Sequence, residues 1–188
     1  MEDREIVDLY WQRDERAIAE TAARYGTYCS SIATNILHQT EDVEESVNDT
    51  WMNAWNSMPP HRPETLPPFL GKITRYICLK KWRERYAQKR GGGETALAFE
   101  ELSESIPDGQ SIDETVQAKE LAQIVNTFLN GLPETERYIF VCRYWYLDPI
   151  ATISTRYRFS QSKVKTMLWR TRKKLMLQLK KEGVFYES

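Results

Sequence analysis

The side chains with most to offer a ligand stand near the end of the chain. Gln161, Ser162, Lys163, Lys165, Thr166, Trp169 and Arg170 follow Ser160, a residue type that caps helices. Helical spacing puts them on the outward side of a segment whose other side carries Val164, Leu168, Thr171, Leu175 and Leu179. Amide, hydroxyl and cationic groups at the start of a helix are the types that hydrogen-bond base edges in a major groove. Arg172, Lys173 and Lys174, further along, suit phosphates, which position a protein without specifying sequence. The same pattern also fits the solvated face of a basic helix in a bundle. A second cluster mixes cations with ring faces: Lys72, Arg75, Tyr76, Lys80, Lys81, Trp82, Arg83 and Tyr86. Stacking platforms in a positive groove suit unpaired bases better than duplex, though Tyr76 and Trp82 fit the core equally well, and Trp82 is expected there. A third cluster, Glu41, Asp42, Glu44, Glu45 and Asp49, would be repelled by a polyanion and fits a protein-docking face or a solvated one.

Covalent chemistry has little support. The two histidines, His38 and His61, form no HExxH or other metal spacing, and no phosphate loop or GxSxG motif occurs. Cys29, Cys78 and Cys142 are scattered and odd in number, so neither disulfides nor a zinc site is expected. No catalytic residue, metal or cofactor is assigned, and the chain does not read as an enzyme.

These clusters need helices to hold them, and helical periodicity dominates the chain with no convincing strand. A first helix is predicted from about Glu5 to Arg24, a second over 28–37, and a third from a cap at Thr40, with the stripe Val43, Val47, Trp51, Ala54 and Trp55 buried. Five prolines in residues 58–68 exclude regular helix there. A fourth helix is predicted from Phe69, with Ile73, Ile77 and Trp82 inward and Lys72, Arg75, Lys80, Arg83 and Arg85 outward. Gly91-Gly92-Gly93 closes this part. Residues 91–118 then contain seven acids and no Lys or Arg, with a turn at Pro107-Asp108-Gly109, and read as an acidic flexible linker in which Leu97, Phe99 and Leu102 could dock. Leu121, Ile124, Val125, Phe128 and Leu129 form the next helical stripe. Pro133 opens a helix to about Tyr146, and Asp148-Pro149, a cap followed by proline, opens a short one. A turn over 157–160 leads to a last helix from Gln161 to about Lys181, some 30 Å long at ~1.5 Å per residue. The predicted fold is all-α: a helical domain over 1–90, a linker over 91–114, and a helix-turn-helix domain over 115–188.

Charge agrees with this division. The 188 residues carry 26 Lys and Arg against 27 Asp and Glu, yet residues 72–90 sum to +7 and residues 143–182 to +9, leaving −17 for the rest. Two basic blocks in an acidic chain suggest two separate contacts with a polyanion. Apolar runs are far shorter than the ~20 residues of a membrane helix. The acidic N-terminus is wrong for a signal peptide. A cytoplasmic protein without membrane insertion is expected.

Two pairs of motifs carry a resemblance. VEESVNDTWMNAW (43–55) followed by PFLGKITRYICLKKWRER (68–85) resembles conserved region 2 of bacterial sigma-70-class sigma factors. LNGLPETERYIFVCRYW (129–145) and PIATISTRYRFSQSKVKTMLWRTRKKL (149–175) resemble region 4, in the expected order. With only these two regions, the chain resembles the extracytoplasmic function (ECF) group. Tyr76, Lys80 and Phe69 stand where that group commonly has Asn, Asp and Trp.

The resemblance implies that Glu44, Glu45, Asn48, Asp49 and Asn53 dock on the β′ clamp of the RNA polymerase core, while the second domain meets the β flap. It implies that Lys72, Arg75, Tyr76, Lys80 and Arg83 engage the single-stranded −10 element. Ser160, Gln161, Ser162, Lys163, Lys165, Thr166, Trp169, Arg170, Arg172 and Lys173 would read the −35 duplex, the linker would thread the polymerase channels, and an anti-sigma factor would be a further partner. The function so implied is promoter selection and help with promoter opening in transcription initiation. The alternative from the residues alone is a stand-alone helix-turn-helix regulator, which needs neither the acidic docking helix nor the cation–aromatic surface.

Overall fold

A computed structural model describes residues 1–85, 93–103 and 116–183. Among the described residues all regular structure is helical, in two compact units, Met1–Gly92 and Gly93–Ser188. No helix among them is long and apolar enough to cross a membrane.

The first unit contains α1 (Asp3–Trp11), α2 (Arg16–Ile36), α3 (Thr40–Ser57) and α4 (Leu66–Arg85). Helices α2, α3 and α4 pack on one another, and α1 lies against α2. Their shared core includes Ile6, Tyr10, Ile32, Ile36, Leu37, Met58, Leu66 and Leu70. The Tyr10 hydroxyl donates to Thr21 Oγ1 at 2.9 Å, so this phenol enters the core with its polar end satisfied. The break expected near residue 26 is instead at residues 12–15. Arg13 turns there with φ 57°, and the Asp14 carboxylate accepts from the Arg16 backbone N–H at 3.0 Å, starting α2. Gly26 lies inside α2, where a Cβ would meet nothing within 4 Å.

Thr40 is the first residue of α3 rather than its cap; Gln39, in extended conformation, occupies that position. Val47, Trp51 and Ala54 are buried, with Val43 and Trp55 partly so. The proline-rich segment is tied to α1: Trp11 Nε1 donates to the His61 carbonyl at 3.2 Å, and Arg62 pairs with Asp8. Helix α4 begins at Leu66, earlier than expected, because Pro67 and Pro68 fall in the first turn, where backbone N–H groups have no intrahelical partner. Its inward line is Leu70, Gly71, Thr74, Cys78 and Trp82. Ile73 and Ile77, expected inside, flank that line half-buried.

The second unit contains α5 (Gly93–Ser103), α6 (Val116–Asn130), α7 (Glu134–Tyr144), α8 (Ile150–Tyr157) and α9 (Gln161–Lys181). Helix α9 is central, touching α6, α7 and α8. Val164, Leu168, Leu175 and Leu179 meet Ile139, Phe140, Leu147, Ile150 and Ile153 in the core. Pro133 and Pro149 stand at the capping positions of α7 and α8. Asp148, expected as a cap, is buried and pairs with Arg156 at 2.6 Å. The α6 stripe Leu121, Ile124, Val125, Phe128 and Leu129 is only half-buried.

Part of the stretch expected as linker is therefore helix. Helix α5 packs on α7, because Arg143, buried in the second unit, draws two of its carboxylates. The Pro107-Asp108-Gly109 turn, Tyr86, Gly91, Gly92 and the start of the second domain at Thr115 lie outside the described residues.

Candidate nucleic-acid and protein-docking surfaces

The first surface is built by the junction of α8 and α9. Helix α8 ends as Arg158 adopts the left-handed conformation, φ 54° and ψ 40°. This reverses the chain, and the Phe159 N–H donates to the Ser154 carbonyl at 3.1 Å. Ser160 caps α9, its Oγ accepting from the Lys163 N–H at 3.1 Å. The turn fixes where the first residues of α9 begin, and the buried stripe fixes its rotation. Gln161, Ser162, Lys163, Lys165, Thr166, Trp169, Arg170 and Lys173 are consequently all exposed. The Lys163 ammonium sits 3.6 Å above the Phe159 ring, and Lys173 lies 5.9 Å from that of Trp169, which is 52 % exposed. Lys174 is held by Glu136 at 2.9 Å.

Arg172 does not join this face. It is 8 % exposed, its Nη1 donates to the Tyr144 hydroxyl oxygen at 2.7 Å, and it lies 3.8 Å from Glu101. Its register explains this, since position 172 is four after Leu168 and three before Leu175, both buried. The Tyr144 hydroxyl donates in turn to Glu101 at 2.9 Å. Burial, then the Glu101 charge, push its phenol above the ordinary range.

The second surface runs along α4. Lys72, Tyr76, Lys80 and Arg83 are exposed at spacings of four, four and three, one line of about 16 Å at ~1.5 Å per residue. Tyr76, 70 % exposed, sits in its middle. Arg75 is half-buried beside it. Burial, then the neighbouring charge of Arg83, pull its guanidinium below its ordinary pKa. Trp82 belongs to the core.

The third surface is on α3. Glu44, Glu45, Asn48 and Asn53 are exposed and Asp49 is half-buried. Asp42 is buried and turned to α4, where it pairs with Arg85; Lys81 donates to Glu45 at 2.7 Å. Met52, 52 % exposed, lies one turn beyond Asn48 and was missed among the candidates. Helical register held the signal, since Met52 falls off the Val47–Trp51–Ala54 stripe.

No protein-family model matches the chain, and no curated protein matches it in sequence. Among solved structures it is similar to CnrH in complex with the cytosolic domain of CnrY. The match has 22% sequence identity over 95% of this chain and 97% of that one, with a TM-score of 0.41.

Three surfaces with different chemistry thus occupy separate helices. The α9 start offers hydrogen-bonding and cationic groups on a convex helix that a major groove admits. The α4 line offers a ring between cations, suited to a stacked base with its phosphates. The α3 face joins carboxylates and amides to an exposed thioether, a combination suited to a protein with basic and apolar patches. Among the described residues no cluster of His, Cys, Asp or Glu is arranged to hold a metal ion.

Proposed function

We propose that the chain is an RNA polymerase sigma factor of the ECF group, a dissociable subunit that directs the core enzyme to promoters and assists their opening. The region 2 and region 4 motifs support this, and one observation carries it. A cation–aromatic line and a duplex-reading helix start occur in separate units, in the order those motifs require. Promoter opening needs duplex recognition at one site and capture of unpaired bases at another. Gln161, Ser162, Lys163, Lys165, Thr166, Trp169 and Arg170 read the −35 duplex, capped by Ser160, with Lys173 on phosphate. Lys72, Tyr76, Lys80 and Arg83, with Arg75 beside them, hold the single-stranded −10 element. Glu44, Glu45, Asn48, Asp49 and Asn53, joined by Met52, dock on the polymerase core, and an anti-sigma factor controls access to these surfaces. Captured bases and polymerase contacts offset unstacking, a few kcal/mol per flipped base, so no nucleotide hydrolysis is required.

The test is run-off transcription by purified bacterial core polymerase, with and without the chain, on pooled promoter fragments. Defined starts that require the protein are expected, and their aligned upstream sequences give both elements. No transcripts, together with tight duplex binding by the chain alone, would replace this reading with a stand-alone regulator.

A further inference from the structure

Among the described residues, three other than glycine adopt the left-handed conformation: Arg13 (φ 57°), Leu147 (φ 56°) and Arg158 (φ 54°). That region disfavours any residue with a Cβ, whereas glycine occupies it freely. For two of the three, the side chain offsets the strain inside the fold. Arg13 donates from Nη1 to the Trp55 carbonyl at 2.8 Å and lies 5.2 Å from the centre of that indole ring. Leu147 is 2 % exposed and belongs to the core of the second unit. Arg158 is different. Its side chain is exposed, and its guanidinium has no hydrogen bond or ion pair among the described residues. A strained position that presents a cation outward points to a ligand rather than to stability.

The turn that carries Arg158 is firmly built. Phe159 is tied twice to Ser154: its N–H donates to the Ser154 carbonyl at 3.1 Å, and its carbonyl accepts from Ser154 Oγ at 2.5 Å. The Arg158 N–H reaches the Thr155 carbonyl at 3.3 Å. The half-buried Phe159 ring holds the Lys163 ammonium 3.6 Å from its centre, drawing that side chain back toward the turn. Arg158 and Lys163 thus flank the Ser160 cap in sequence, where the exposed face of α9 begins. Cations beside a base-reading helix suit the phosphates that border the groove, which orient the helix without specifying sequence.

We propose that the turn between α8 and α9 is a phosphate grip on duplex DNA: Arg158 contacts the backbone directly, and Phe159 is a positioning residue that aims Lys163 at it. The grip deepens the reading of α9 as a duplex-binding helix and rests on that reading.

The experiment titrates the full chain with a random-sequence duplex of about 30 base pairs, over a salt series from about 50 to about 300 mM. Arg158→Gly removes the cation and the strain together. It is expected to raise the melting temperature of the second unit by ~2 °C or more. Duplex binding should nevertheless weaken roughly 5- to 10-fold at about 0.1 M salt, and the slope of log K against log salt should shrink by ~1. Arg158→Lys should keep the wild-type slope. Lys181→Gln, an equal loss of charge at the far end of α9, should change the slope by less than ~0.3. Phe159→Leu should cost ~2- to 3-fold in affinity in the wild-type background and nothing in Lys163→Ala. Affinity and slope unchanged in Arg158→Gly, or lowered equally in Lys181→Gln, would overturn the grip and leave the α9 reading standing. Equal losses from Phe159→Leu in both backgrounds would remove its positioning role. A wild-type chain that binds no duplex at about 50 mM salt would overturn both grip and α9 reading. Run-off transcription tests the sigma reading separately, and its failure beside the expected slopes removes the promoter role alone.

Discussion

Arg170 and Arg172 stand two positions apart on α9, one exposed and one buried against Tyr144. Their variants should therefore fail differently. Arg170→Ala is expected to weaken −35 duplex binding by ~1–3 kcal/mol, roughly 5- to 150-fold, with thermal stability and core polymerase affinity unchanged. Arg172→Met should lower the melting temperature of the second unit through a loss of about 1–3 kcal/mol, because Tyr144 and Glu101 lose their partner. Calorimetry beside a duplex titration separates the two, and a loss of polymerase affinity in Arg170→Ala would refute the division of roles. In the −10 role proposed for Tyr76 the ring would do the stacking: Tyr76→Phe should keep most affinity for a single-stranded −10 oligonucleotide, and Tyr76→Ala should lose ~1–3 kcal/mol. Glu101 adds a pH dependence. Burial raises its pKa, but hydrogen bonds and charge from Arg143, with Tyr144 and Arg172, outweigh this and hold the carboxyl below its ordinary value. Its contribution is thus complete above the ordinary carboxylate range, about pH 4.5, and is lost as pH falls through the lower folded value. Melts from pH 7 to 3 should show a steeper loss for wild type than for Glu101→Gln; equal slopes would remove Glu101 from the network's energetics.

Among the helices, two glycines in similar settings have opposite expected behaviour. A Cβ on Gly26 meets nothing within 4 Å, so Gly26→Ala should stabilise α2 by about 0.5–1 kcal/mol. A Cβ on Gly71 would come within 2.5 Å of the Tyr28 hydroxyl oxygen, where α4 crosses α2. Gly71→Ala should therefore destabilise the first unit, by about 1–3 kcal/mol, and Tyr28→Phe should recover part of that in a double-mutant cycle. Additive effects would mean that the oxygen yields without cost. Element identity was readable wherever an apolar stripe met a strong boundary. The α9 stripe, its Ser160 cap and the α3 stripe all follow from spacing, so the exposed α9 face was legible apart from Arg172. The α1–α2 break was not, because Gly26 looks like punctuation while the Asp14 turn relies on one side chain bonding its local backbone. Helix α5 was hidden for a different reason. Its acids read as solvated until Arg143, about 45 residues later in sequence, is brought beside them by the fold.

For the whole molecule, the three buried cysteines carry a consequence of their own. Cys29 and Cys78 lie in the first unit and Cys142 in the second. Burial raises all three thiols, Cys78 to about 11, so in the folded chain almost no thiolate is available to attack. Each unit thus holds its own chemical clock: an alkylating reagent added to the intact protein marks a cysteine only when the surrounding helices part, and the order in which the three become modified reports which unit opens first.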